Sequence, residues 1–355
     1  MALYDINGKE ISSGFASISE AVVRQAIING VTSGEIELPS TPASGTLSLG
    51  ALATNWIERV KTSFDAMMAD YKSDAVDGIP MFLATDLHGI SYELARVPHN
   101  FDSRVFSVIL GDLCGDVFNS NQIASIKNAQ KPISNIVSVA GNHDVFVRAS
   151  DADMPSYYAV NDAFRCTDAK RPDNKLCQTV FDNYHGVKYL VISPYQIQKT
   201  KEDTLKKSIG TAEMTWLLNE LSADDGYDIV VCSHEPFDSS WVSRDGETRT
   251  DAGYGFYSGV RSVLAARKAF SSGTVTDADG VEHSYDFTKL TTKCLCSFHG
   301  HLHQELYSQK GGWTEYLETK YTISYADTVS WALIDRNAMT LTIYKAGKDN
   351  LVLNL

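Results

Sequence analysis

The sequence predicts an α/β fold, and three observations predict it. From Pro80 onward, short apolar runs recur, each ending in a polar cluster. Stretches with helical spacing lie between several of those runs. The chain has 355 residues, 43% of them apolar, which is enough to bury a sizeable core. At this length one large α/β domain with additions, or two domains, is expected. The text changes character near residue 77, so we divide it into an N-terminal extension (1–76) and a main domain (77–355).

Taken in order, the extension begins with an amphipathic helix over residues 18–31, carrying Ala21, Val22 and Ala26 on one side. A loop rich in Pro, Ser, Thr and Gly follows over 38–50. Trp56, Val60, Phe64, Met67 and Tyr71 then recur at helical spacing, with Thr54 or Asn55 as the candidate cap. This stripe is expected to pack against the main domain. Five apolar runs read as buried strands: 81–84, 105–110, 136–140, 229–232 and 294–298. A further strand is expected over 188–192, and helices over 212–221 and 259–270. The tail, 330–344, reads as two strands joined at Asp335-Arg336-Asn337.

Charge and composition narrow the function. Lys and Arg number 31 against 44 Asp and Glu, a net charge of −13. A dedicated nucleic-acid binder would need a basic footprint. An anionic small substrate remains compatible, because bound metal ions invert the local sign. No run of 18 apolar residues exists to span a membrane, and Met1–Glu10 lacks a signal pattern. A cytoplasmic location is therefore expected, with a phage-borne or surface-associated protein as the alternative. The six cysteines match no zinc finger and no CxxC motif. Cys294 and Cys296 should share one strand face. Cys166 and Cys177 flank a polar loop; reduced thiols or a disulfide are the two readings, depending on compartment.

The strand ends carry the chemistry. Five of the nine histidines (His88, His143, His234, His301, His303) follow apolar runs directly, joined by Asp86, Asp112 and Asn142. In open α/β sheets, ligands gather outside the carboxyl ends of strands. Asp86-Leu87-His88 and His301-Leu302-His303 each place two donors on one side of an extended segment. Mixed imidazole and carboxylate donors suit Mn, Fe or Zn rather than Mg or Ca. A pair of metals about 3.5–4 Å apart needs a shared ligand, and a carboxylate such as Asp112 serves. Gly111, Gly141 and Gly300 allow the backbone to come close.

The order Asp86-x-His88, Gly111-Asp112, Gly141-Asn142-His143-Asp144, His234 and Gly300-His301-Leu302-His303 resembles the calcineurin-like metallophosphoesterase family. The spacing fits as well: 26 residues from Asp86 to Asp112 and 30 from Asp112 to Asn142. The resemblance covers residue 80 to the C-terminus. It implies a four-layer αββα sandwich of two mixed sheets, with the N-terminal helical extension added to it. It implies a phosphoric ester hydrolase using two divalent or trivalent transition metal ions (Mn, Fe or Zn). Asp86, His88, Asp112 and His303 would hold the first metal, and Asp112, Asn142, His234 and His301 the second. A metal-bridging hydroxide would attack phosphorus, and His143 would protonate the leaving group or stabilise the transition state.

Several features narrow the reading. Protein Ser/Thr phosphatases of the superfamily carry Gly-Asp-x-x-Asp-Arg-Gly, whereas this chain reads Gly111-Asp112-Leu113-Cys114-Gly115-Asp116. After His303 only 52 residues remain, too few for the extra domain of the nucleotidases. Small phosphodiesterases and phosphomonoesterases are left, and the diesterase is favoured. Substrate contacts are expected from the insertions at 145–165 and 238–292, with Arg244, Arg249, Tyr254 and Tyr257 as candidates and 251–259 as a lid. Asp116 is a candidate to orient His143, and His299 to orient a ligand. Asp277-Ala278-Asp279-Gly280 reads as a hairpin turn rather than a calcium loop. His99, His185 and His283 read as surface residues. Two rivals stand beside the enzyme: a non-catalytic scaffold, and an esterase attached through residues 1–76 to an assembly such as a phage tail or cell surface.

Overall fold

The protein is described here from a computed structural model. The described residues are 49–71, 77–88, 101–113 except 103, 135–145, 177–193, 209–250, 258–321 and 326–355, with short strand pieces at Leu3–Tyr4, Glu10–Ser12, Tyr195–Gln196 and Lys206–Lys207. The expected helix over 18–31, Cys166, Asp116, His99 and most of the 145–165 insertion lie outside them, as does nearly all of the 251–259 lid.

Two mixed sheets stack face to face. The first has six strands, in the order Leu351–Asn354, Thr340–Tyr344, Ser330–Asp335, Gly78–Ala84, Phe106–Ile109 and Ile136–Ser138. The last three run parallel, and the others join them antiparallel. The second has eight, in the order Thr248–Thr250, Ser240–Ser243, Leu306–Ser308, Glu315–Leu317, Cys294–His299, Asp228–Cys232, Val187–Val191 and Gln178–Asp182. Its centre is also parallel. The inner faces meet in one apolar core, in which Met81, Leu83 and Val108 of the first sheet pack with Tyr189, Val230 and Phe298 of the second. The parallel strands are buried along their whole length, which is why they read as continuous apolar runs.

Helices cover both outer faces, giving four layers, as the resemblance implies. Leu49–Tyr71 lies on the six-stranded sheet. Its Trp56, Val60, Phe64, Met67 and Met68 are buried. Trp331 of that sheet packs 4.9 Å from both Phe64 and Phe82, ring centre to ring centre, and donates its indole N–H to the Val60 carbonyl at 2.9 Å. The helix begins at Leu49, several residues before the caps expected at Thr54 or Asn55, and takes in the end of the expected loop. On the other side, Thr211–Ser222 and Ser258–Lys268 bury Leu217, Leu221, Val263 and Leu264 against the eight-stranded sheet.

The 238–292 insertion contributes a hairpin, Ser272–Thr276 with Glu282–Asp286, turned at Asp277-Ala278-Asp279-Gly280 as expected. Asp277 accepts the amides of Asp279 and Val281, while Asp279 reaches across to accept the Thr211 amide at 2.9 Å. The acidic turn thus closes itself and caps a helix.

Two expectations change, the shared face of Cys294 and Cys296 and the surface setting of His185 and His283, while Cys177 keeps the reduced form. Cys294 and Cys296 do not share a face: a bulge opposite Ile229–Val231 breaks the alternation, so Cys294 joins the helix-side core and Cys296 the inter-sheet core. Cys177 is a free, buried thiol that donates to the Ser193 carbonyl. His185 and His283 are not simple surface residues. His185 is buried 2.6 Å from Asp182, and His283 sits 2.7 Å from Asp277.

Candidate metal centre

Every expected strand end arrives at one rim. Asp86 and His88 follow Gly78–Ala84, and Asp112 follows Phe106–Ile109. Asn142 and His143 follow Ile136–Ser138 and begin a single helical turn, Asn142–Val145. His234 follows Asp228–Cys232, and His301 and His303 follow Cys294–His299. Both sheets supply the site because their parallel strands point the same way.

The turns that present these side chains are strained. Among the described residues, seven non-glycine residues have positive φ, and five of them are Asp86, His88, Asp112, His301 and His303. Such conformations cost about 1–3 kcal/mol each and cluster at functional sites. Asp86 and His88 do not share a side through strand alternation; two left-handed residues turn the chain instead.

The glycines leave room for the side chains themselves. A Cβ on Gly111 would lie 2.5 Å from His234 Nδ1, one on Gly141 2.2 Å from Asp112 Oδ1, and one on Gly300 1.9 Å from Thr85 Oγ1. Gly111 also holds φ at 101°, which disfavours any other residue.

Three groups of donor atoms form, each within 4.8 Å: Asp86, His88 and His303; His88, Asp112 and His143; Asp112, His234 and His301. In the first, Asp86 Oδ1 lies 3.2 Å from His303 Nε2 and 3.9 Å from His88 Nε2, and the two imidazole nitrogens are 3.4 Å apart. In the last, His234 Nε2 is 3.2 Å from each of Asp112 Oδ2, Asn142 Oδ1 and His301 Nδ1. All eight expected residues therefore meet.

The orientations are fixed from behind. The ring of His234 is fully buried with Nδ1 2.6 Å from the Leu110 carbonyl, so Nδ1–H donates and Nε2 faces the site. Asp86 Oδ2 accepts the Thr85 hydroxyl at 2.8 Å and the His301 amide at 3.0 Å. Its Oδ1 is buried without a hydrogen bond and points among the imidazoles. Asp112 Oδ1 accepts the His143 amide at 2.8 Å. Asp144, fully buried, accepts the Gly141 amide at 2.8 Å and holds that turn. Thr85 and Asp144 do work that the sequence reading did not assign; their position beside Asp86 and His143 was the available signal.

This donor set fits a metal ion. A neutral His234 ring would aim a lone pair at a carboxylate oxygen, an amide oxygen and another imidazole nitrogen. Acceptors facing acceptors in a buried space need a cation between them. The carboxylates draw positive charge into that space, as a metal ion or as a proton on His234. Burial works against ionising His234, yet Asp112 and Asp86 push its pKa up to about 10. Burial likewise opposes the charge on Asp112 and Asp86, but the surrounding imidazoles hold both carboxyls below the usual range. His88 moves the other way, down to about 4, through burial assisted by the nearby Lys320 and opposed by Asp112. It is neutral at pH 7, ready to donate a lone pair.

The remaining candidates differ. His143 stands with its ring 4.7 Å from that of His88 and its side chain 30% exposed. His299 is buried on the helix side, bonded to the Glu235 carbonyl and to Ser297, with its pKa pushed down to about 3 by burial; it steadies the backbone after His234. Arg244, a candidate substrate contact, is engaged within the protein: Glu305 holds its guanidinium at 2.6 Å and the Asp349 carbonyl takes another of its N–H groups. Arg249 is exposed on the edge strand Thr248–Thr250. Tyr254 and Tyr257 lie outside the described residues.

The family model of calcineurin-like phosphoesterases matches residues 79–305, and the chain belongs to that metallophosphoesterase family. No curated protein matches. Among solved structures, a dimetal phosphatase from Danio rerio is similar at 13% identity, over 78% of this chain and 98% of that one, with a TM-score of 0.49. A putative 5'-nucleotidase from Staphylococcus aureus is similar at 14% identity over 78% and 54%, TM-score 0.38. The inner membrane complex anchor GAP50 of Plasmodium is similar at 12% identity over 78% and 89%, TM-score 0.42. No helix among the described residues is long and apolar enough to cross a membrane.

Proposed function

We propose that this member of the calcineurin-like phosphoesterase family hydrolyses phosphate esters with two transition metal ions sharing Asp112. The observation that supports it most is the convergence of buried acceptor atoms on the strained rim. Asp86, His88, His303 and Asp112 would hold one ion, and Asp112, Asn142, His234 and His301 the other. The mixed imidazole and carboxylate donors favour Mn, Fe or Zn. Bound there, the cations would neutralise phosphoryl charge and make water a nucleophile near neutral pH.

The chain's own residues supply the rest. Asp112 fixes the His143 backbone through its Oδ1, so metal ligand and imidazole move as one unit. His143 keeps part of its side chain open to solvent beside Asp112, and there its ring nitrogen would give a proton to a departing alkoxide. His303 is 45% exposed, so the rim is open on that side to an ester substituent.

The test uses chelated protein reloaded with Mn²⁺, Zn²⁺ or Fe²⁺ and offered one aryl phosphodiester and one aryl phosphomonoester. Metal-dependent turnover of either is expected. Stoichiometric metal binding without turnover of either ester overturns the reading.

A further inference from the structure

The segment after the Glu315–Leu317 strand crosses behind both loops of the first donor group. Glu318 is fully buried, and its amide donates to the His299 carbonyl at 2.8 Å. Its carboxylate takes the Thr319 amide at 2.7 Å and the buried Lys345 ammonium at 2.6 Å. The Thr319 hydroxyl donates to the His303 carbonyl at 3.1 Å. The Tyr321 amide donates to the Thr85 carbonyl at 3.1 Å. Residue 320 is thus anchored from both neighbours, one to the His303 loop and the other to the residue before Asp86.

Lys320 sits between those anchors, half-buried. Among the described residues it has no carboxylate partner, whereas Lys345, Lys348, Arg244 and Arg261 nearby are all paired. The bonds of Thr319 to the His303 carbonyl and of Tyr321 to the Thr85 carbonyl place it at the His303 side of the rim. An unpaired ammonium on a braced backbone, beside a centre that takes up anions, has an anion as its natural partner.

We propose that Lys320 is a substrate-binding residue that holds an anionic phosphoryl oxygen and biases the enzyme toward phosphomonoesters. The inference rests on the phosphoesterase reading above and deepens it. A monoester dianion carries one more charge than a diester monoanion, so a fixed cation attracts it about twice as strongly. This departs from the diester preference read from the sequence, which did not weigh Lys320. No apolar run of useful length precedes it, so the pattern that found the other residues passed it over.

The test compares wild type, Lys320→Met and Lys320→Arg in the metal-loaded full chain. It measures kcat and KM for the aryl monoester and diester, inhibition by inorganic phosphate, and bound metal per chain. Lys320→Met is expected to raise the monoester KM and the phosphate inhibition constant about tenfold, the loss of one charge-assisted contact. The diester KM should shift by less than about threefold, half the coulombic effect on a logarithmic scale. Metal content should stay at the wild-type value, and Lys320→Arg should restore phosphate inhibition. A KM shift equal for both esters, or no shift, overturns the proposal while leaving the phosphoesterase reading intact. Loss of metal in Lys320→Met also overturns it, showing that the residue only supports the loops. Wild-type protein that holds metal and turns over neither ester overturns both.

Discussion

The two ends of the same sheets hold similar residues and use them differently. At the far end from the donor cluster, basic side chains sit against carboxylates: Arg104 with Asp102 at 2.5 Å, Arg336 with Asp77 at 2.5 Å, His185 with Asp182 at 2.6 Å. The Tyr71 hydroxyl adds a contact to the far nitrogen of His185 at 3.3 Å. Donor meets acceptor in each of these pairs, and Tyr71, Asp77, Asp102, Arg104, Asp182, His185 and Arg336 all keep φ negative. At the strained rim, carboxylate, amide and imidazole acceptors face one another and the ligand-bearing turns are left-handed. The difference teaches where function lies. Histidine beside aspartate occurs at both ends; uncompensated acceptors on a strained backbone occur at one.

The sharpest break in that comparison is Asp112→Asn, which removes the carboxylate common to two donor groups. Altering residues that merely orient metal ligands costs about 10–100-fold in affinity or activity, so removing a shared ligand should cost at least about 100-fold in kcat/KM. Metal analysis of the purified variant should show less bound metal than wild type. At the opposite end, Asp182→Ala should do the reverse. Asp182 accepts the Tyr184 and His185 amides as well as the His185 ring, and Asp182 and His185 are both buried. Its loss should cost about 3 kcal/mol of unfolding free energy, as breaking a buried pair does, with kcat/KM within twofold of wild type. Chemical denaturation and turnover on the same samples check both halves. If Asp182→Ala loses activity while staying folded, the division between the two ends fails.

How much of this was legible in the sequence follows from the same physics. The five strands and their terminal ligands could be read because parallel strands, buried on both faces, write themselves as unbroken apolar runs. Asp86, Asp112, His234 and His301 announce themselves by interrupting such runs. The Cys294–Cys296 bulge left no mark, since a single extra residue changes no residue type. His185 read as a surface residue because Asn183, Tyr184 and Gly186 around it look like a turn, and it is one; helix Leu49–Tyr71 buries it from a distant part of the chain. The pairing of Arg244 was not legible because its partner Glu305 lies 61 residues on. Long-range pairings of this kind have no local signature.

Behind the centre, Glu315 offers a smaller test that separates the core from the rim. Its carboxylate is fully buried against Arg261 and accepts the Phe237 and Asp238 amides. Burial raises its pKa to about 7, with Asp238 adding to the rise and Arg261 opposing it. In the unfolded chain the group titrates near 4.5. The folded state therefore binds the proton more tightly, and this contribution is complete below pH 4.5 and lost as pH rises toward 7. The change is on the order of 3 kcal/mol at most. Unfolding of wild type and Glu315→Gln across that range should converge at low pH and diverge toward pH 7, with Gln the more stable there. Parallel curves would show that Arg261 keeps Glu315 ionised throughout.

The mildest test returns to the rim and asks whether the aim of Asp86 matters as much as its charge. Thr85→Val keeps the shape and removes one of the two donors to Asp86 Oδ2, leaving the His301 amide alone to hold the carboxylate. Oδ1, the oxygen among the imidazoles, then loses its fixed direction although every donor atom is still present. Metal affinity should fall about 10–100-fold in the group containing Asp86, His88 and His303. Asp112 and His234 are held by the His143 amide and the Leu110 carbonyl; the Thr85 hydroxyl reaches that carbonyl only at 3.3 Å, so the other group should weaken less. Titration with Mn²⁺ or Co²⁺ should therefore show one strongly weakened equivalent and one weakened less. Thr85→Ser, which keeps the hydroxyl, should restore the first. Equal weakening of both equivalents would mean that the two groups are held by one rigid turn system rather than by separate supports, and that strain at the rim is shared instead of local.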